Sequence, residues 1–145
     1  MPIFERLDSA DRVRRWTDEI PLHYQYTSGV AGEKFLRALM SGKLLGGRCD
    51  SCGLTFLPPK IYCIKCFGKV ERYIRVPLQG RVAASSLGDG ETSRFVFVTF
   101  DGVVGGLIHR ALGRPPKLGA RIRIKFKRKP QRKGSIMDIQ GFEPS

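Results

Sequence analysis

The four cysteines of this chain all fall in one pattern: Cys49-Asp50-Ser51-Cys52, ten residues, then Cys63-Ile64-Lys65-Cys66. A C-x-x-C curls into a knuckle whose two thiolates can face one metal. Two knuckles at the ends of a β-turn bring four sulfurs into a tetrahedron. Gly53 follows the first knuckle, where a residue without Cβ eases the tight turn. Between the knuckles, Pro58-Pro59 is a candidate hairpin tip. Two disulfides or four free thiols are the competing readings. Disulfides need an oxidising compartment, and Met1-Pro2-Ile3-Phe4-Glu5-Arg6 lacks the basic-then-apolar order of an export signal. The spacing therefore predicts structural zinc on Cys49, Cys52, Cys63 and Cys66. Iron in a rubredoxin-like site is the chief alternative, since a four-thiolate tetrahedron suits both metals. With all four ligands from protein, no position is left for a reacting water, so the metal should fold the module rather than catalyse.

Charge is the second constraint. The chain of 145 residues carries a net charge of +13, unevenly spread. Segment 1–46 is net +1, 47–75 net +4 and 76–145 net +8, and residues 110–133 hold eleven cations and no acid. Such a field should attract an anionic partner: nucleic acid, a phosphorylated cofactor or an acidic protein face. A basic surface kept for solubility is the plainer reading. No apolar run is long enough to span a bilayer, so a soluble cytoplasmic protein without a membrane partner is expected.

Three units follow: a helical segment 1–46, a zinc ribbon 47–76 and a barrel 77–145. In the first, Asp8 or Ser9 can cap a short helix bearing Val13 and Trp16, which Pro21 stops. Residues 22–27 look extended. A second helix is predicted over 33–41, with Phe35, Leu36, Leu39 and Met40 on one face and Gly42 at its end. After Pro77 the pattern is β. Strands are predicted at 80–87, 94–100, 103–109, 121–127 and 135–142. Asp101-Gly102 reads as a two-residue type I′ hairpin link. Segment 111–119, with Pro115-Pro116 and two glycines, reads as a loop, and 129–134 as a basic turn. Along 121–127, Ile122, Ile124 and Phe126 alternate with Arg121, Arg123, Lys125 and Lys127, a half-buried strand with a cationic outer face. Five antiparallel strands in this length suit an OB-fold, with an SH3-like barrel as the alternative.

Nothing argues for catalysis by this chain alone. His23 and His109, the only histidines, sit beside no nucleophile motif, and no phosphate-cradling glycine loop occurs. Phe95 and Phe97 share one face of their strand and Phe100 the other. A single-strand-binding OB-fold presents exposed rings flanked by cations, but these phenylalanines read more simply as core.

The stretch Phe35-Leu36-Arg37-Ala38-Leu39-Met40-Ser41-Gly42-Lys43-Leu44-Leu45-Gly46, then Cys49-x-x-Cys52-Gly53, Pro58-Pro59 and Cys63-x-x-Cys66 before a barrel, resembles domain-of-unknown-function family thirty-five. Gly80-Arg81-Val82 and Leu118-Gly119-Ala120-Arg121-Ile122 match that family's barrel rhythm. The family commonly has arginine after the double proline; here Lys60 keeps the charge without the planar fork.

The resemblance implies a helical N-terminus, a rubredoxin-like zinc ribbon and an OB-fold. It also implies an accessory role in acyl-CoA metabolism: binding acyl-CoA, or bridging a thiolase or hydroxymethylglutaryl-CoA synthase-like enzyme to a partner. Only the ribbon cysteines carry over from the family. For coenzyme A, Lys60, Arg121, Arg123, Lys125 and Lys127 are the candidate phosphate contacts, and Phe35, Leu39 and Met40 the candidate walls of an acyl channel. A nucleic-acid-binding module is the runner-up, since ribbons and OB-folds both bind RNA or DNA. An iron electron carrier is third.

Overall fold

A computed structural model describes residues 19, 21–87, 94–114 and 116–145. The helix expected around Val13 and Trp16 lies outside the described residues. Residues 21–28 adopt no regular element. Helix α1 spans Gly29–Met40, starting a turn earlier than its apolar face suggested. Ala31, Phe35, Ala38 and Leu39, at helical spacing, form its buried stripe. Met40, expected on that face, is instead exposed. Gly42 takes a left-handed φ of 71°, and the N–H groups of Gly42 and Lys43 donate to Leu39 and Ala38 carbonyls at 2.8 Å each. This Schellman arrangement closes the helix and turns the chain into the sheet.

Eight strands follow: β1 (Leu44–Arg48), β2 (Thr55–Leu57), β3 (Arg72–Val76), β4 (Gln79–Leu87), β5 (Arg94–Thr99), β6 (Val104–Arg110), β7 (Arg121–Phe126) and β8 (Ile139–Pro144). They form one curled sheet in the order β3-β1-β2-β6-β5-β4-β7-β8. The last five pair as an OB-fold does: β4 with β5 and β7, β5 with β6, β7 with β8, all antiparallel. A parallel bridge, Ala111 to Phe142, joins the end of β6 to β8 and closes the curl into a partly open barrel. Inside lie Val82, Val96, Val98, Phe100, Leu107, Ile122, Ile124, Ile139 and Phe142, with Phe35 and Leu39 of α1 packed onto them. The chain is thus mostly β, with one described helix, a ribbon and an OB-type barrel.

Four expectations change. The Asp101-Gly102 turn exists, but only Gly102 is left-handed (φ 71°), and β5 meets β6 at Thr99 opposite Gly106 rather than at residues flanking the turn. The reason is competition for the strand: Val104 and Gly105 pair in parallel with Phe56 and Leu57 of β2. A Cβ on Gly105 (φ 89°) would stand 2.2 Å from the Leu57 carbonyl oxygen, so only glycine allows this approach. Second, the last strand starts at Ile139. Ser135 and Asp138 form a capping box around a 3₁₀ turn over Ile136–Asp138, which spends those residues' backbone groups locally. Third, β7 ends at Phe126, and half-buried Lys127 donates its backbone N–H to Asp138 O at 2.8 Å instead of extending the cationic comb. Fourth, Phe95 and Phe97 are not core. Val96 and Val98 point inward, which leaves Phe95 43% exposed and Phe97 half-buried on the outer face.

Candidate functional site

Each cysteine pair sits at the tip of a hairpin. The first knuckle lies between β1 and β2, with Cys49 N–H bonded to Leu54 O and Gly53 N–H to Cys49 O, both 2.9 Å. The second lies between Tyr62 and Lys69, which form a bridge, with Cys63 N–H to Gly68 O at 2.9 Å and Phe67 N–H to Cys63 O at 3.1 Å. Pro58-Pro59, expected at a tip, instead carries the chain from β2 toward this second hairpin. The knuckles are local repeats of one turn, and both need a left-handed residue after the second cysteine: Gly53 (φ 70°) and Phe67 (φ 59°). An ion pair between Arg72 and Asp50 ties β3 to the first knuckle.

The four Sγ atoms all lie within 4.8 Å of one another. Cys49 to Cys66 and Cys52 to Cys63 are each 3.5 Å. A disulfide needs about 2.05 Å, whereas a tetrahedron with metal–sulfur bonds of about 2.3 Å has edges near 3.8 Å. The spacing therefore fits a tetrahedral metal and not a pair of disulfides. Cys49 and Cys63 are buried, Cys52 is half-buried and Cys66 is exposed. The Cys63 thiol is lowered to about 6 by the N–H groups of Cys66 and Lys65, and Cys49 is lowered chiefly by that of Cys52. For Cys66, the Gly68 N–H favours the thiolate, but the crowding sulfurs of Cys49, Cys63 and Cys52, with burial, hold its proton and push it to about 11. Four sulfurs this close cannot all ionise against one another. A dication held by Cys49, Cys52, Cys63 and Cys66 would remove that conflict by favouring all four thiolates. The four cysteines are positioned to bind one metal ion.

Above the second knuckle lies a cleft of about 500 Å³ that sequence reasoning missed. Val30 and Lys34 of α1 form one wall, and Ile61, Tyr62, Val70 and Tyr73 the other, with the Lys69–Glu71 ion pair (2.7 Å) on that second side. Lys34 Nζ stands 4.4 Å from the centre of the Tyr73 ring. The signal was faint in the sequence because the cleft uses the helix face that flanks the apolar stripe, where only Val30 and Lys34 contribute. Phe35 and Leu39, expected to wall a channel, are packed in the core, and Met40 faces solvent.

The expected phosphate contacts are dispersed. Lys60 is exposed on the ribbon beside the cleft residue Ile61, while Arg121, Arg123 and Lys125 are exposed on β7. Lys125 is already paired with Glu143 at 2.8 Å. His109, on β6, is buried with its Nδ1 unpartnered and its ring edge-on to Phe142. No helix among the described residues is long and apolar enough to cross a membrane.

A family model of the ChsH2 rubredoxin-like zinc ribbon domain matches residues 37–71. No curated protein matches the sequence. Among solved structures, a DUF35 family protein of unknown function from Sulfolobus solfataricus is 30% identical, with a TM-score of 0.61 over 66% of this chain and 78% of that one. An Ltp2–ChsH2(DUF35) aldolase matches at 16% identity and a TM-score of 0.56, over 77% of this chain and 91% of that one, a likeness of fold. The knuckle geometry, the curled barrel and the 30% identity converge, and the chain belongs to the DUF35 family.

Proposed function

We propose that this chain is a non-catalytic, zinc-containing accessory protein of acyl-CoA metabolism, which holds the pantetheine end of an acyl-CoA while a thiolase-like or hydroxymethylglutaryl-CoA synthase-like partner performs the chemistry. The observation that carries this reading is the cleft between α1 and the second knuckle. Its walls are mostly apolar, it is edged by Lys34 and by the Lys69–Glu71 ion pair (2.7 Å), Lys60 is the chain neighbour of its residue Ile61, and it falls in the size range of small-molecule sites. The pantetheine arm of coenzyme A is narrow, carries two amides between short apolar segments and leads to a pyrophosphate, which suits a cleft with aromatic and aliphatic walls and lysines at its edge. Family membership supports an acyl-CoA context, as does the likeness to the ChsH2(DUF35) chain of an aldolase complex. In this reading 47–76 is the metal unit, 77–145 the barrel, and 1–46 the helical segment whose α1 supplies one wall of the cleft. Zinc is preferred to iron because its role here is to fold the ribbon, and the reduced thiols suit a cytoplasmic setting.

Calorimetry of the metal-loaded chain with an acyl-CoA is the direct test. Binding should weaken about tenfold in Lys34→Ala, the scale of one charge-assisted contact. Absence of any heat, together with absence of a thiolase-like enzyme co-purifying at native levels, would defeat the reading. Metal analysis and colour separate zinc from iron: a colourless protein with one zinc per chain is expected.

A further inference from the structure

We propose that the outer face of β4–β5–β6 binds single-stranded nucleic acid, by stacking bases on Phe95 and Phe97 between cationic ends. The proposal is independent of the acyl-CoA reading and uses a different module.

The inference begins with strand register. Phe97 pairs with Ala84 on one side and Ile108 on the other; Phe95 pairs with Ser86 and Arg110. Directly paired residues share a face of a sheet, so these side chains form one outward patch. Its rings are only partly covered, Phe95 exposed and Phe97 half-buried, because the flanking β4 positions are small. Ala84 and Ser86 are exposed, Ile108 is 66% exposed and Phe95 43%. Next along, Gly106 leaves its place to the Phe97 ring: a Cβ there would stand 2.9 Å from that ring. The result is a shallow recess of about 220 Å³ with the two rings on its floor, lined also by Ser85, Val96 and Ile108.

Charge selects the occupant. Strands β4, β5 and β6 contain no aspartate or glutamate. Arg110 stands at one end of the patch, opposite Phe95. At the other end Arg81 lies opposite Thr99 and is itself paired across β7 with Arg121, two like charges that share their recess with one carboxylate, Asp101. Facing cations of this kind repel, which an anionic ligand relieves. From residue 95 to residue 99 a strand runs about 13 Å, roughly the length of four phosphates of a stacked single strand at about 3.4 Å each. That separation favours a polymer over a single nucleotide. An apolar protein segment would use the rings but not the cations, and a duplex would use the cations but not the rings. Single-strand recognition uses both.

The experiment is fluorescence anisotropy of the full metal-loaded chain with labelled single strands of about twelve nucleotides, within the range an OB-fold spans. Phe95 is largely exposed, so Phe95→Ala should fold normally. It should weaken binding by about tenfold and leave the salt dependence unchanged. Phe95→Trp should restore affinity. Arg110→Gln should reduce the slope of log affinity against log salt by about 0.7, one phosphate contact on a single strand. Equal binding by Phe95→Ala and wild type would overturn the proposal. So would equal competition by a duplex of the same sequence, displacement of the strand by an equivalent of free coenzyme A, or affinity that vanishes by physiological salt.

Discussion

In the barrel, burial is supplied by branched aliphatic side chains and phenylalanines drawn from every strand; at the knuckle end of the ribbon, among the described residues, Phe56 and Val70 join Cys49 and Cys63, with Leu54 and Cys52 partly buried against them. The two cores are nevertheless built partly from the same strands. Leu44 of β1, Leu57 of β2 and Val76 of β3 point into the barrel core, while the other ends of β1 and β2 lead to the sulfurs. One end of each ribbon strand is thus held by apolar burial and the other by coordination. Apolar contact scales with area, and a hairpin tip of this size has too little area to hold itself. A four-sulfur metal site concentrates its energy in a few bonds, so it can order a tip that packing cannot.

The largest effect should come from breaking the metal end. Structural zinc contributes on the order of 10 kcal/mol in small modules. Chelation, or Cys63→Ser, should erase amide-exchange protection at residues 48–55 and 62–70, while β4–β8 keep theirs. Protection lost in step across ribbon and barrel would show that the two cores form one cooperative unit.

A smaller effect should come from acid, acting on the barrel. Burial, then the Arg110 and Lys127 charges, lower the pKa of His109 below the usual histidine value. Its neutral form is therefore favoured in the fold. The unfolded chain binds the extra proton first, so this contribution is present above about pH 6.5 and is lost as pH falls through that value toward the folded pKa. The denaturant midpoint of barrel unfolding should fall between neutral pH and mild acid, and His109→Gln should flatten that dependence. An unchanged slope in the variant would assign acid sensitivity elsewhere, with the thiolates as the next source.

The same contrast explains what the sequence revealed. The cysteine spacing predicted its knuckles because coordination is local: ligands two residues apart need only one turn. The alternation of Ile122 and Ile124 with arginines predicted β7, and Gly42 the end of α1, for the same reason. Errors arose where a distant strand intervened. Nothing near Asp101-Gly102 announces that β2 will claim Val104 and Gly105, so the register of that hairpin could not be read. Hydrophobicity points Phe95 and Phe97 inward, but the smaller Val96 and Val98 fill the barrel interior and the rings lie on the outer face. The cleft escaped because it joins α1 to a hairpin about thirty residues later, across a face that carries no periodic pattern.

The smallest effect separates the two knuckles from each other. Their hydrogen bonds match, yet the first places glycine at the left-handed position and the second places Phe67 there, 78% exposed. A side chain in that conformation costs about 1–2 kcal/mol, and an exposed ring recovers little by burial. Phe67→Gly removes the strain but gives the unfolded chain more freedom, an offset of about 0.5–1 kcal/mol. The net should be a gain of about 0.5–1 kcal/mol, seen as a higher chelator concentration needed to strip the metal. Gly53→Ala should move the same measurement the other way. If Phe67→Gly instead eased metal loss, the ring must shield the sulfurs of Cys63 and Cys66 from solvent, and the second knuckle would owe its stability to that cover rather than to turn geometry.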